Sequence, residues 1–407
     1  MSRHPENVKT KSNPHPMQPE RSLSTHIPRP IGLTSTFKHI SFGNQKFQPL
    51  PAPTGPEPYH LLLENILSGE QIKTIDSAGK IIFHTVGDTG NYMSSSDFQH
   101  AVADTMEADY NSSVEKPSFF YHLGDVVYFN GKADQYYPQF YNPYIKYPPY
   151  IFSIPGNHDG DPASGDPPSL TAYVNNFCAH EAHYTPEAHD ANRQAMIQPN
   201  VYWTLEAPYA TIIGLYSNVP AGGEIRNTQL AWFANELGNA RKDRSLIVAL
   251  HHPVYSLDNF HGGSTQMEET LDNCYKKAGR RADVVLTAHV HNFQRYTERV
   301  DGAEIPHVVA GAGGHHPLHA MQKQSDGNPI QVPFKLNDAD DVTLENYCDN
   351  RHGFMRFEVT ESLIKGEYYA VDVNIADPQS DAQARLLDTF ELNYRTHQLS
   401  KSTRVPQ

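Results

Sequence analysis

The stretch His122-Leu123-Gly124-Asp125-Val126-Val127-Tyr128 places a carboxylate beside a glycine turn, with a phenol three residues further on. At the end of a strand, that spacing brings two oxygen donors into one small volume, which suits a metal ion. One such stretch says little, because Gly-Asp is a common turn pair and a tyrosine after two valines is ordinarily core. Four more stretches repeat the theme: Gly87-Asp88-Thr89-Gly90, Pro155-Gly156-Asn157-His158-Asp159, His251-His252-Pro253 and Ala288-His289-Val290-His291. Carboxylate, carboxamide, imidazole and phenolate together suit Fe, Mn or Zn, and no thiolate stands among them to favour a softer ion. His289 and His291 lie two apart on extended chain and so share one face, where two ions can share the pair.

Each stretch follows an apolar run that reads as a strand: 81–86, 119–121, 150–154, 245–250 and 283–286. Ligands of open α/β sheets bind beyond the carboxyl ends of the strands, so the five ends are expected to face one crevice. Phe98, Val102 and Met106, spaced by four after Ser96-Asp97, predict a helix between the first two strands. The resulting strand, helix and strand form a parallel pair with a right-handed crossover. Helices are also expected over 60–67, about 170–178, from Asn227 (burying Leu230, Phe233 and Leu237) and over 266–277. Further strands are expected over 201–205, 210–216 and 308–310, and as a hairpin over 353–359 and 366–373.

The chain has 407 residues, 38% of them apolar, enough for a large core, and no apolar run approaches the roughly 18 residues a bilayer span needs. The N-terminus shows no apolar leader, so a cytoplasmic location is the default expectation, with export left open. Cys178, Cys274 and Cys348 are odd in number and far apart, which argues for packing rather than a disulfide framework or zinc ribbon. A net charge of −14 disfavours nucleic acid and anionic lipid as partners, although residues 1–48 carry seven Lys/Arg against two Asp/Glu. Residues 1–58 contain eleven prolines and are expected to form an extended arm draped in part on the body. A single domain over 59–395 follows, with an insertion at about 160–200, and then a polar tail at 396–407 expected to fray.

In order and spacing, the five stretches resemble the ordered blocks of the calcineurin-like metallophosphoesterases, and more narrowly those of the purple acid phosphatases. The blocks run from Gly87 to His291, about half of the chain. The resemblance implies an α/β fold of two packed mixed β-sheets flanked by helices, a four-layer αββα sandwich with its active site at the C-terminal ends of the strands. It also implies a first metal held by Asp88, Asp125, Tyr128 and His291, and a second held by Asp125 as bridge with Asn157, His251 and His289. Most relatives have a metal-binding histidine where this chain has Gly90, and Tyr128 matches the tyrosine with which the purple enzymes replace it. A phenolate favours Fe(III), so the expected cofactors are Fe(III) and a second divalent ion, Fe, Zn or Mn. Two carboxylates, a phenolate and a bridging hydroxide against those ions leave about one positive charge, which attracts a phosphate ester.

The implied activity is hydrolysis of phosphate monoesters by a metal-activated hydroxide attacking phosphorus in line. His158 matches the family histidine that contacts the phosphoryl group and protonates the leaving oxygen, and Asp159 is expected to hold its ring. His261 matches a second such histidine, with the spacing from Ser256 one residue longer. His252 is either a pocket wall or a donor behind a ligand. Ala288 replaces the usual glycine of the last block, for which a small backbone adjustment is expected. His315-His316 read as solvated loop residues, with pocket lining the alternative. A phosphodiesterase of nucleotides or lipid head groups is the second enzymatic possibility, the insertion at 160–200 deciding between them, and a non-catalytic phosphate- or metal-binding module is the third. The sequence leaves the oligomeric state open.

Overall fold

Runs of β-branched and aromatic residues such as Ile81-Ile82-Phe83-His84-Thr85-Val86 carry no polar alternation, so they fit strands covered on both faces. That run is buried at every position. The computed structural model describes residues 45–91, 96–336, 341–373 and 382–404; the arm expected over 1–58 therefore lies, for residues 1–44, outside the described residues. The strands are β1 (His60–Leu62), β2 (Ile81–Val86), β3 (Phe119–His122), β4 (Tyr150–Ser153), β5 (Trp203–Ala207), β6 (Ala210–Gly214), β7 (Ser245–Ala249) and β8 (Val284–Thr287). They continue with β9 (Phe293–Val300), β10 (Ala303–Ala310), β11 (Phe334–Lys335), β12 (Val342–Cys348), β13 (His352–Val359), β14 (Leu363–Asp372), β15 (Gln383–Asn393) and β16 (Gln398–Arg404). The helices are α1 (Gly69–Ala78), α2 (Ser96–Ser112), a single turn α3 (Asn157–Gly160), α4 (Thr171–Phe177), α5 (Asn227–Asn239) and α6 (Thr265–Ala278).

These strands form two mixed sheets, as expected. One runs β1-β5-β6-β7-β8-β10-β9-β12-β11 and the other β16-β15-β14-β13-β2-β3-β4. β2, β3 and β4 are parallel, as are β6, β7 and β8, so each sheet sends a parallel block toward the same end. Between the sheets the core is aromatic: Phe293 of β9 stacks on Tyr368 of β14 at 3.9 Å, and Trp203 of β5 donates to the Ser153 carbonyl of β4 at 3.1 Å. No helix of the described residues is long and apolar enough to cross a membrane.

Two local expectations are corrected, and one strand carried no sequence signal. The region 60–67 is not a helix: β1 pairs in parallel with β5 and only one 3-10 turn follows, because sheet pairing overrides a short apolar pattern. The tail from 396 contains β16, which pairs with β15 through residues such as Ser402 and Phe390. A polar run suits an edge strand, where one side faces water. β9 carries Gln, Arg, Thr and Glu at strand positions and gave no apolar run. The insertion caps an edge: the Gln198 carboxamide accepts from Ser153 N at 2.8 Å and donates to Ser153 O at 2.9 Å, closing β4 to further pairing. Residues 45–55 lie along the body, with Gln48 N donating to Asn218 Oδ1 at 2.8 Å and Gly55 N to the Pro199 carbonyl at 2.9 Å.

One ion pair ties the two sheets together. Arg295 of β9 donates to both carboxylate oxygens of Asp388 of β15, at 2.6 and 2.9 Å, and both residues are fully buried. Asn346 of β12 donates to the same carboxylate at 3.0 Å and Ser402 of β16 accepts from Arg295 at 2.9 Å. Asp388→Asn leaves the guanidinium buried without its counter-charge, and should lower stability in urea unfolding by about 3–5 kcal/mol. The double variant Arg295→Met/Asp388→Leu should cost less than the single one, since no unpaired charge remains.

Candidate metal centre

The parallel strands stop at the rim where the sheets meet, and the residues just beyond them turn back sharply. Asp88 (φ 54°), Asp125 (φ 54°) and His289 (φ 69°) all adopt the left-handed conformation. This costs an ordinary residue roughly 1–2 kcal/mol, so neighbouring contacts must hold each one. Asp88 N donates to the Gly124 carbonyl at 3.0 Å, His289 N to Asp88 Oδ2 at 2.7 Å, and His158 N to Asp125 Oδ1 at 2.8 Å. The loops close this tightly because Gly156 has no side chain: a Cβ there would sit 2.1 Å from Asp125 Oδ1.

The seven predicted residues come together in two adjoining groups. In one, Tyr128 Oη lies 3.1 Å from Asp88 Oδ1 and 3.3 Å from His291 Nε2, and His291 Nε2 lies 3.7 Å from Asp88 Oδ1. In the other, His251 Nε2 lies 3.1 Å from Asn157 Oδ1 and 3.3 Å from Asp125 Oδ2, while donor atoms of Asp125, His251 and His289 lie within 4.8 Å of one another. His251 Nε2 is 3.9 Å from Asp88 Oδ1, which joins the groups. Three of the ligand-bearing ends come from one sheet and two from the other, so the crevice lies between sheets rather than along one.

The chemistry of the donors fits a cation. His251 Nδ1 bonds the Leu123 carbonyl at 2.9 Å, which puts the lone pair of the neutral ring on Nε2. That lone pair faces two oxygen acceptors, and Asp125 Oδ2 is buried with no hydrogen-bond donor. Three acceptors facing one another repel unless a positive charge lies among them. In the ion-free chain a proton serves. Burial pulls His251 down, but the Asp125 and Asp88 carboxylates outweigh it and push the ring up to about 9. Burial works upward on Asp125, yet His251 and His158 hold it well below the usual carboxylate range. Asp88 is raised, by burial and by the charge of Asp125. Burial and the surrounding histidines lower His289 and His291, which leaves both neutral with lone pairs to offer. Burial raises Tyr128, whose phenol donates to Asp88.

Tyr128 is placed by two features. Gln139 grips its backbone from both sides, accepting from Tyr128 N and donating to Tyr128 O, each at 2.9 Å. Sequence reasoning missed Gln139, which sits outside any motif. The second feature is Gly90: a Cβ there would lie 2.6 Å from Gln139 Oε1, 2.7 Å from the Val126 carbonyl and 2.9 Å from Tyr128 Cδ2. The methyl of Ala288 lies over Gly87, another position without room for a side chain.

The remaining predicted residues also gather here, with corrections. The His158 ring lies 4.5 Å from that of Tyr128, and its Nδ1 bonds the Phe129 carbonyl at 3.0 Å. That bond stands where Asp159 was expected. The Asp159 carboxylate instead accepts from the backbone amides of Val126, Val127 and Gly156 at 2.8–3.2 Å, so it shapes the loops and does not hold the His158 ring. The His261 ring lies 4.2 Å from His289. His252 is a buried neighbour, bonded through Nδ1 to Ser217 Oγ at 2.7 Å and 4.3 Å from the His289 ring. His315 is not a solvated loop residue: it is buried with its ring 3.9 Å from Tyr128. His319, which no motif marked, stacks on His291 at 4.1 Å.

The two-sheet α/β sandwich and its rim of carboxylate, phenol and imidazole donors are those of a metallophosphoesterase-type fold. The chain belongs to the calcineurin-like phosphoesterase family, which residues 82–293 match. Its likeness within that family is to the purple acid phosphatases. Over 94 residues it is 35% identical to tartrate-resistant acid phosphatase type 5 of Oryctolagus cuniculus, covering 23% of this chain and 27% of that protein. Over 142 residues it is 25% identical to purple acid phosphatase 22 of Arabidopsis thaliana, covering 32% and 31%. The matches thus span about a third or less of each curated relative. Among solved structures, the purple acid phosphatase PPD1 of yellow lupin (Lupinus luteus) shares the fold at TM-score 0.52 and 14% identity, over 78% of this chain and 55% of that one. GAP50 of Plasmodium shares it at TM-score 0.50 and 13% identity, over 75% and 89%.

The crowding at position 90 is testable. Gly90→Ala should displace Gln139 or Tyr128 and lower stability by about 1–3 kcal/mol, an overpacking cost. Denaturant midpoints of the ion-free protein check it, and a neutral result would show that Tyr128 has slack.

Proposed function

We propose that the protein is a dinuclear phosphatase of phosphate monoesters. Asp88, Asp125, Tyr128 and His291 would hold Fe(III), and Asp125, Asn157, His251 and His289 would hold a divalent Fe, Zn or Mn ion. The single observation that carries this reading is the meeting of Asp125 Oδ2, Asn157 Oδ1 and His251 Nε2 in one small volume, beside the Asp88, Tyr128 and His291 group. The pair of ions would supply a hydroxide near neutral pH and charge for the transition state.

The chain's own part is to place and protonate the ester. His158 stands beside Asn157 with Nδ1 tied to Phe129 O, a bond that directs the opposite ring nitrogen elsewhere. A ring so oriented would meet the phosphoryl group and give its proton to the departing oxygen. His261, on the far side against His289, would bind a second phosphoryl oxygen. Asp159 acts only through the backbone, by fixing residues 126, 127 and 156 around Asp125.

Asp125→Ala should bind fewer ions by elemental analysis and lose at least about a thousandfold in turnover, as removal of the bridging charge implies. A metal-free, active Asp125→Ala protein would end the proposal. Wild-type protein should hydrolyse p-nitrophenyl phosphate faster than bis-p-nitrophenyl phosphate; the reverse order would make it a diesterase. Phosphate binding without turnover of either ester in fully loaded protein would make it a binding module. A violet colour lost in Tyr128→Phe would support iron held by phenolate, whereas a colourless protein with two divalent ions would remove Fe(III) from the proposal.

A further inference from the structure

The turn after β10 is fastened along its length to the loop that carries Asp88. Gly87 N donates to the Ala310 carbonyl at 2.8 Å, Gly313 N to the Gly87 carbonyl at 3.1 Å, and His315 N to the Asp88 carbonyl at 2.9 Å. This ladder crosses from one sheet to the other and ends by delivering a side chain. His315 Nδ1 bonds the Gly90 carbonyl at 2.8 Å, and the ring then lies on Tyr128 with centroids 3.9 Å apart and planes 28° apart. Its centroid is also 4.5 Å from that of His291.

Four residues on, the same segment provides a counterpart. The His319 ring lies on His291 at 4.1 Å and 28°, and its Nδ1 is 3.2 Å from Oδ2 of the buried Asp258. Asp258 also accepts the backbone amides of His261 at 3.0 Å and Gly262 at 2.7 Å. Neither histidine belongs to the proposed ligand set, yet both are packed flat against rings that do.

We propose that His315 is a positioning residue for the first metal site: anchored on Gly90, its ring holds the Tyr128 phenol in line with Asp88 and His291, while His319 steadies His291. The proposal rests on Tyr128 and His291 being ligands. Its physical basis is freedom of rotation. A phenol turns about two torsions, and the packing at Gly90, where an added Cβ would lie 2.9 Å from Tyr128 Cδ2, bounds its ring along one edge. A flat partner fixed at its far edge by a hydrogen bond removes that freedom before an ion arrives. Gly90 thus does two tasks, opening the space and presenting the carbonyl that seats the replacement ring.

The test uses the full chain with His315→Ala and His315→Phe, the second of which keeps a flat ring and loses only the bond to Gly90. Two readouts are taken: the rate at which EDTA strips each ion from the loaded protein, and the visible phenolate-to-iron band of the iron form. His315→Ala should release one of its two ions about 10–100-fold faster than wild type and shift the band, as loss of a residue behind a ligand does. His315→Phe should recover most of both. Melting temperatures of the ion-free proteins control for folding, and His315→Gln, which keeps a donor without a ring, replaces the alanine variant should that one unfold. Stripping rates and a band equal to wild type in a folded His315→Ala protein overturn the proposal, as does a His315→Phe protein no better than His315→Ala. Wild-type protein that binds fewer than two ions fails at the earlier step and overturns the metal assignment together with the clamp. A colourless protein that binds two divalent ions leaves the stripping comparison decisive.

Discussion

Two carboxylates, Asp88 and Asp125, are buried almost completely at the rim where the two sheets meet, and much of the molecule answers to that fact. A buried carboxylate without a counter-charge costs several kcal/mol, and two side by side cost more. In the ion-free chain the compensation is local: His251 is driven up to about 9 by the pair, Asp125 is held low beside it, and Asp88 is raised. In the proposed metal site, a cation would take over the role of that proton. The neighbouring His289 and His291 are kept neutral by burial, so they would meet an ion as lone-pair donors rather than as competing charges.

Holding such a site requires a frame that does not relax. Of the bonds that hold the left-handed turns at Asp88, Asp125 and His289, the one from His289 N to Asp88 Oδ2 runs between loops rooted in different sheets, while those joining Asp88 to Gly124 and Asp125 to His158 tie neighbouring loops of one sheet. Parting His289 from Asp88 therefore means sliding one sheet on the other. The bidentate Arg295 and Asp388 pair, with Asn346 and Ser402 around it, opposes that slide from inside the sandwich. Strain at the rim and a polar clamp in the interior are two parts of one mechanical arrangement.

The strands that carry the ligands were legible because they are buried on both faces and so read as unbroken apolar runs: β2, β3, β4, β7 and β8 all lie close to where the pattern put them. The donors stood out because each follows such a run directly. Residues whose role is to hold other residues had no such signal. Gln139 acts through the backbone of Tyr128 from a short helical turn, Asp159 through amides rather than through its neighbouring ring, His315 through stacking on Tyr128 across more than a hundred residues of chain, and His319 through stacking on His291. β9 was invisible for a related reason: its polar side chains are buried because partners such as Asp388 meet them, and a partner elsewhere in the chain leaves no local pattern.

The bare position at Gly90 and the presence of Tyr128 are a single structural choice. A side chain at 90 would collide with the ring of Tyr128, with Gln139 and with the Val126 carbonyl, so the phenol can occupy its place only if position 90 is bare. Conversely, a bare position 90 without a phenol would leave Asp88 and His291 with a gap between them, since the Tyr128 oxygen is the atom that now spans it at 3.1 and 3.3 Å. The phenol also bears on the ion proposed for this site. A phenol that lost its proton would bring a hard anion, and a third negative charge beside two buried carboxylates would suit the more highly charged cation proposed for this site.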